Sequence, residues 1–109
     1  MKLFLIRPSK NIKAEAYYDI ENKTFIVLKD SILSETIAYS KKFRGAKSIE
    51  KSRDGVVDGN KLIKDMKFKS PSTAANFVTG ASTNGLIAWK NEQGKTLKSI
   101  MENMEDNNE

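Results

Sequence analysis

Residues 68–97 read FKSPSTAANFVTGASTNGLIAWKNEQGKTL, and their order of caps, apolar stripe and turns sets the pattern for the whole chain. Ser70 followed by Pro71 predicts a helix start. A serine hydroxyl accepts from a backbone N–H of the first turn, and proline suits the first helical position, where no donor is missed. Ala74, Ala75, Phe77 and Val78 form an apolar stripe at helical spacing, and Gly80 closes the helix in the left-handed conformation that C-caps favour. Asn84-Gly85 predicts a turn, Leu86–Trp89 a strand and Asn91–Gly94 a second turn. Thr96–Met101 predicts a last helix ahead of a frayed acidic tail.

Toward the N terminus strand signals dominate. Leu3–Ile6 and Ile12–Asp19 predict strands, and the adjacent Tyr17 and Tyr18 must then face opposite sides, one toward the core and one toward solvent. Glu21-Asn22-Lys23 predicts a polar turn and Thr24–Lys29 the returning strand of a hairpin. Ser31 predicts the cap of a short helix over Ile32–Tyr39. Ala46–Arg53 predicts a helix ended by Gly55, with Ile49 as its apolar anchor. Asp58-Gly59, set between the apolar pairs Val56-Val57 and Leu62-Ile63, predicts a tight hairpin. The expected architecture is α+β: one domain over residues 1–100, a small, mostly antiparallel sheet with two or three helices packed on it, and an acidic tail over 101–109.

Composition narrows the chemistry. A chain of 109 residues supports one thin core. Its 39% hydrophobic and 30% charged content suits a folded globule. With no cysteine and no histidine, the chain lacks disulfides, thiolate and imidazole metal ligands, the usual general base and the Cys/His nucleophile pairs. A binding protein without metal or cofactor is the expectation, not an enzyme. The nearest approach to a nuclease motif, Glu21-Asn22-Lys23 with Asp19, lies in a predicted turn without a second strand-borne acid, where carboxylates do not converge on a metal. The apolar run after Met1 ends at Arg7-Pro8, too short for a signal peptide, and no run nears the roughly 20 residues of a membrane span. A cytoplasmic location and no membrane partner are expected.

The charge is uneven. Net charge is +5, yet residues 101–109 hold Glu102, Glu105, Asp106 and Glu109 and no base. The body is therefore strongly basic, which suits a polyanion partner. Lys41, Lys42, Arg44, Lys47, Lys51 and Arg53 stand against Glu50 alone. Extended by Lys61, Lys64, Lys67 and Lys69, this segment reads either as a track for a phosphate backbone or as a solvated helix face. The arginines are Arg7, Arg44 and Arg53, few for bidentate guanine readout. Ser70 and Ser72 read as an anion site at a helix start or as plain caps. Trp89-Lys90 reads as a stacking residue beside a phosphate-neutralising lysine, or as a core anchor whose indole N–H is bonded internally. Ser72, Asn84 and Trp89 together are the expected recognition pocket.

The pattern F-x-S-P-S-x-A-A, a glycine five residues on, N-G, W-K and G-K-T-L is carried by Phe68, Ser70, Pro71, Ser72, Ala74, Ala75, Gly80, Asn84, Gly85, Trp89, Lys90, Gly94, Lys95, Thr96 and Leu97. It resembles the bacterial domain-of-unknown-function family 4357, and Ala16–Tyr18 with Phe25–Ser31 resembles that family's N-terminal half. Family members are often attached to GIY-YIG nuclease domains, and the domain is similar to the RAMA (restriction enzyme and adenine methylase associated) domain, proposed to read modified DNA. The resemblance implies an α+β reader or adaptor. The expected function is a non-enzymatic accessory module that contacts duplex DNA, with recognition of a modified base as a further expectation, in a restriction-modification or nuclease setting. The alternative is an adaptor that recruits or regulates a nuclease or restriction protein. Two positions depart from the pattern. Leu86 stands where an aromatic usually follows N-G, and Asp30 stands where a glycine usually precedes the serine of the VL-x-GS element.

Overall fold

Alternating apolar residues in the first third of the chain build a sheet. The computed structural model describes residues 1–39 and 45–106. Among these, the strands are β1 (Lys2–Arg7), β2 (Ile12–Asp19), β3 (Thr24–Val27), β4 (Val57–Asp58), β5 (Lys61–Leu62) and β6 (Met66–Phe68). The α-helices are α1 (Ala46–Arg53), α2 (Pro71–Thr79), the single turn α3 (Gly85–Ala88) and α4 (Leu97–Asp106), and a 3-10 turn, Pro8–Lys10, joins β1 to β2. The main sheet has the order β1-β2-β3-β6, antiparallel throughout, and β4-β5 form the predicted hairpin. The expected α+β class is the one observed.

Register explains the core. Leu3 faces Ala16 and Leu5 faces Ala14, while Ala16 also faces Val27. Directly opposed residues share a face of a ladder, so these side chains line one side together with Ile12 and Phe25, all buried. On that side lies α2 with Ala74, Ala75, Phe77 and Val78, followed by Trp89 and Leu97. Phe25 meets Trp89 at 4.9 Å between ring centroids, and Phe68 meets Phe77 at 4.9 Å. The two tyrosines divide as alternation requires. Tyr18 is half-buried against Phe25, and Tyr17 is exposed.

Three local expectations are corrected. No helix forms over Ile32–Tyr39. Ile32 bridges Lys13 on one side and Lys61 on the other, Ser34 N–H donates to Val78, and Ala38 N–H donates to Gly80. With its donors taken by three other segments, this Ser- and Thr-bearing stretch has no reason to coil on itself. Ser31 does not cap a helix either; its hydroxyl accepts from Glu15 N–H at 3.0 Å. Leu86–Trp89 is not a strand, because Asn84 caps the one-turn helix α3 and only Trp89 is extended after it. The acidic tail is helical further than expected, since α4 continues to Asp106. The sequence reading also passed over β6, a three-residue strand whose existence depends on pairing with β3.

The departure at Asp30 keeps its backbone role. Asp30 has φ +77°, the left-handed region that glycine enters freely and aspartate tolerates. Its N–H donates to Leu62 at 2.8 Å and its carboxylate lies 3.4 Å from Lys61 Nζ. This bend is what moves the chain from β3 to the Lys13–Ile32 bridge.

Candidate nucleic-acid interface

The expected pocket residues do come together, but as a packed joint. Ser70 Oγ accepts from Thr73 N–H at 3.1 Å, capping α2 as predicted. Ser72 Oγ accepts from Gly85 N–H at 3.0 Å, and Asn84 Oδ1 accepts from Leu86 N–H at 3.0 Å. Gly85 is pressed against the first turn of α2, so that a Cβ there would run into the Pro71 carbonyl and the Ser72 nitrogen. Trp89 is fully enclosed, and its Nε1–H donates to the Pro71 carbonyl at 3.0 Å. The stacking role for Trp89 is therefore corrected: an indole with no exposed surface offers no face to a base, and the core reading holds. Ser70, Ser72 and Asn84 are occupied with backbone donors of this same joint.

The basic segment divides. Lys41, Lys42 and Arg44 lie outside the described residues. Lys47 and Lys51 are exposed on α1, where Glu50 accepts from the Tyr39 hydroxyl at 3.0 Å, a bond that raises the Tyr39 hydroxyl above its ordinary value. Arg53 turns inward, contrary to its expected phosphate contact. Its guanidinium donates to the Phe77 carbonyl at 2.7 Å, the Ser34 carbonyl at 3.0 Å and Ser34 Oγ at 2.9 Å, and its plane lies over the Phe77 ring. Burial lowers its pKa from the ordinary arginine value. It closes the C-terminal end of α2, where a cation also complements the helix dipole. Because α1 packs on α2, Lys47 and Lys51 stand apart from Lys61 and Lys67, which register places in the rows of the opposite face; among the described residues these lysines do not form one continuous track.

That opposite side is a surface the sequence reading left unassembled. Ladder register lays out three rows across it. Lys2, Tyr17, Ile26 and Lys67 form one row from β1 to β6. Lys90, Phe4 and Glu15 form the next, with Lys90 bonded to the outer edge of β1 through Phe4 N–H at 2.7 Å to Lys90 O. Ile6, Lys13, Ile32 and Lys61 form the third. No helix among the described residues covers these rows: Tyr17 is 51% exposed and Ile6 52%. The acids near the face are engaged locally. Glu15 lies 3.4 Å from Lys2, Asp30 pairs with Lys61, and Asp19 accepts from Asn22 N–H and, at 2.7 Å, from its side-chain amide. Those bonds from Asn22 hold the Asp19 carboxyl below its ordinary value. Lys13, Lys67 and Lys90 enter no ion pair among the described residues. The available signal was the second set of alternating residues, Lys2-Phe4-Ile6 and Lys13-Glu15-Tyr17, read against the buried set on the same strands.

Beside β1 the face drops into an open cleft of about 970 Å³. Phe4, Ile6 and Ile87 give it apolar walls, Thr83 and Asn84 polar groups, and Arg7, Lys10 and Lys90 cations, against the single acid Glu92. Glu21-Asn22-Lys23 forms the β2–β3 turn. No group of three or more carboxylate, histidine or cysteine residues able to hold a metal occurs among the described residues. No helix among them is long and apolar enough to cross a membrane.

A model of the domain of unknown function DUF4357 matches residues 4–101. No curated protein and no solved structure matches the chain.

Proposed function

The chain belongs to the DUF4357 family, and from that premise we propose that it is a non-enzymatic nucleic-acid-binding accessory module serving a restriction-modification or nuclease system in the cytoplasm. The observation that carries this reading is the uncovered sheet face, on which Lys13, Lys67 and Lys90 are free of ion pairs among the described residues while Glu15 and Asp30 are paired with Lys2 and Lys61. Cations spread over a rigid surface bind a phosphate backbone by displacing its counterions. The lysine-rich, arginine-poor composition fits affinity without extensive base-edge readout. Selectivity, including any for a modified base, belongs to the cleft beside β1, where apolar walls and a few polar groups adjoin the cations.

The test is binding of fluorescently labelled DNA as a function of salt. Affinity should fall steeply between 50 and 200 mM salt, and Lys13→Glu with Lys67→Glu should flatten the log–log slope by roughly 1.4–1.8, the share of two phosphate contacts. A salt-independent affinity, or an unchanged slope in the double variant, defeats the proposal.

A second reading, an adaptor for a nuclease or restriction protein, is favoured by one observation: Ile6 and Ile87 are each 52% exposed at the cleft. It calls for co-purification with such a subunit that survives nuclease digestion and is lost in Ile87→Asp.

A further inference from the structure

Resting on the nucleic-acid reading, we infer that the partner of the open sheet face is an unpaired strand, laid across β1, β2, β3 and β6 with bases stacked on Tyr17 and Phe4 and phosphates on Lys13, Lys67 and Lys90. Dimensions come first. Adjacent strands lie about 4.8 Å apart, so four strands span roughly 14 Å between their outer axes, before side chains and the Lys90 segment are added. The major groove of B-form DNA is about 12 Å wide and admits a helix or a two-stranded ribbon. This face cannot enter it. A duplex would present only its phosphate ridges to such a surface, and no base would reach Tyr17.

The aromatic residues point the same way. Tyr17 sits on the inner strand β2, half exposed, and enters no ring–ring contact among the described residues. It does not pack the core, unlike its neighbour Tyr18. Phe4 is its diagonal neighbour across the β1–β2 ladder, about 7–8 Å away by the geometry of antiparallel pairs, and Lys2 Nζ lies 5.7 Å from the Phe4 ring centroid. Aromatic platforms interleaved with lysines on a flat surface hold successive bases by their π-faces and the backbone by its charge. The cleft beside β1 continues this path, since Phe4 and Ile6 belong to both surfaces and Arg7 and Lys10 line it. It offers a strand leaving the sheet a place to bury one base.

The experiment compares two labelled probes by fluorescence anisotropy: a 12-nucleotide oligothymidylate and a 12-base-pair duplex. The single strand should bind more tightly. Tyr17→Ala should weaken its binding by about 5- to 100-fold, the loss of one base–aromatic stack, whereas Tyr17→Phe should retain it. Upfield shifts of the Tyr17 ring protons on titrating oligothymidylate into the unmutated protein provide a second readout independent of how the variant folds. Equal or tighter duplex binding with Tyr17→Ala silent overturns this inference and leaves the nucleic-acid reading standing, as does a Tyr17 ring whose protons do not move. Failure of both probes to bind at low salt overturns both.

Discussion

In the joint where Ser70, Pro71 and Ser72 meet Gly85 and Trp89, the polar side chains bond to backbone groups of the same chain. Ser72 serves Gly85, Asn84 serves Leu86, and the indole of Trp89 serves the Pro71 carbonyl. On the open face of the sheet Lys13, Lys67 and Lys90 are exposed and enter no ion pair among the described residues, with Tyr17 and Phe4 on the rows between them. The first region is rich in unusual residues at fixed spacing, because each position answers a backbone constraint. The second is chemically plain in sequence and acquires meaning only when four strands bring its residues into rows. Here, density of motif marks the scaffold, and the surface suited to a partner lies where motif is sparse.

The sharpest break of this contrast is at Trp89. Trp89→Ala should cost about 3–5 kcal/mol in urea unfolding, as a large buried aromatic does. If stability were unchanged while nucleic-acid binding disappeared, the joint would be a site after all. Arg53→Met should come next, at roughly 1.5–3 kcal/mol, because the Phe77 and Ser34 carbonyls lose a charged donor inside the fold. Gly85→Ala should cost about 1–3 kcal/mol or more, since the added methyl meets backbone that cannot step aside. Its thermal midpoint should fall with that of Trp89→Ala rather than track any change in binding.

Legibility from sequence followed the same division. The cap at Ser70, the stop at Gly80, the strands of the N-terminal hairpin and α1 are local events, and the residues alone specify them. The Ile32–Tyr39 segment differs from its expectation because a serine before an apolar residue resembles a cap, whereas the donors of that segment go to β2, the β4–β5 turn and the end of α2. Leu86–Trp89 was misread because Leu-Ile-Ala-Trp fits a short buried strand as well as a helical turn; the Asn84 cap decides between them. Arg53 stood in a run of bases and gave no sign of its inward turn, which depends on the distant α2 carbonyls. The outward residues of β1 and β2 were legible strand by strand, but their assembly into rows was not: Lys2 and Lys67 are neighbours only through two intervening strands.

The open face should respond in the opposite sense to the joint. Lys13→Glu with Lys67→Glu removes no buried contact, so its unfolding free energy should stay within about 0.5 kcal/mol of the unmutated protein, while DNA affinity falls. A large loss of stability in this variant would mean that the lysines serve the fold, and the contrast between the two regions would vanish.

The smallest effect lies at the end of the same face. Asp19 is an acid on a surface proposed to meet phosphates, and like charges there would oppose binding. Its carboxylate is held by Asn22, whose side-chain and backbone N–H groups lower its pKa and so keep it ionised, at the far end of the face from Lys13. A carboxyl whose folded pKa is depressed adds stability that is complete above the unfolded value and is lost as pH falls through the lower folded value. The unmutated protein should therefore lose stability over that acidic window slightly more steeply than Asp19→Asn, which has no proton to take up. Carboxyl-carbon NMR should place the Asp19 midpoint below the ordinary aspartate value, and Asn22→Ala should return it toward that value. A midpoint unaffected by Asn22→Ala would show that the Asn22 bonds do not stabilise the carboxylate, and the acid-window difference from Asp19→Asn would then need another source.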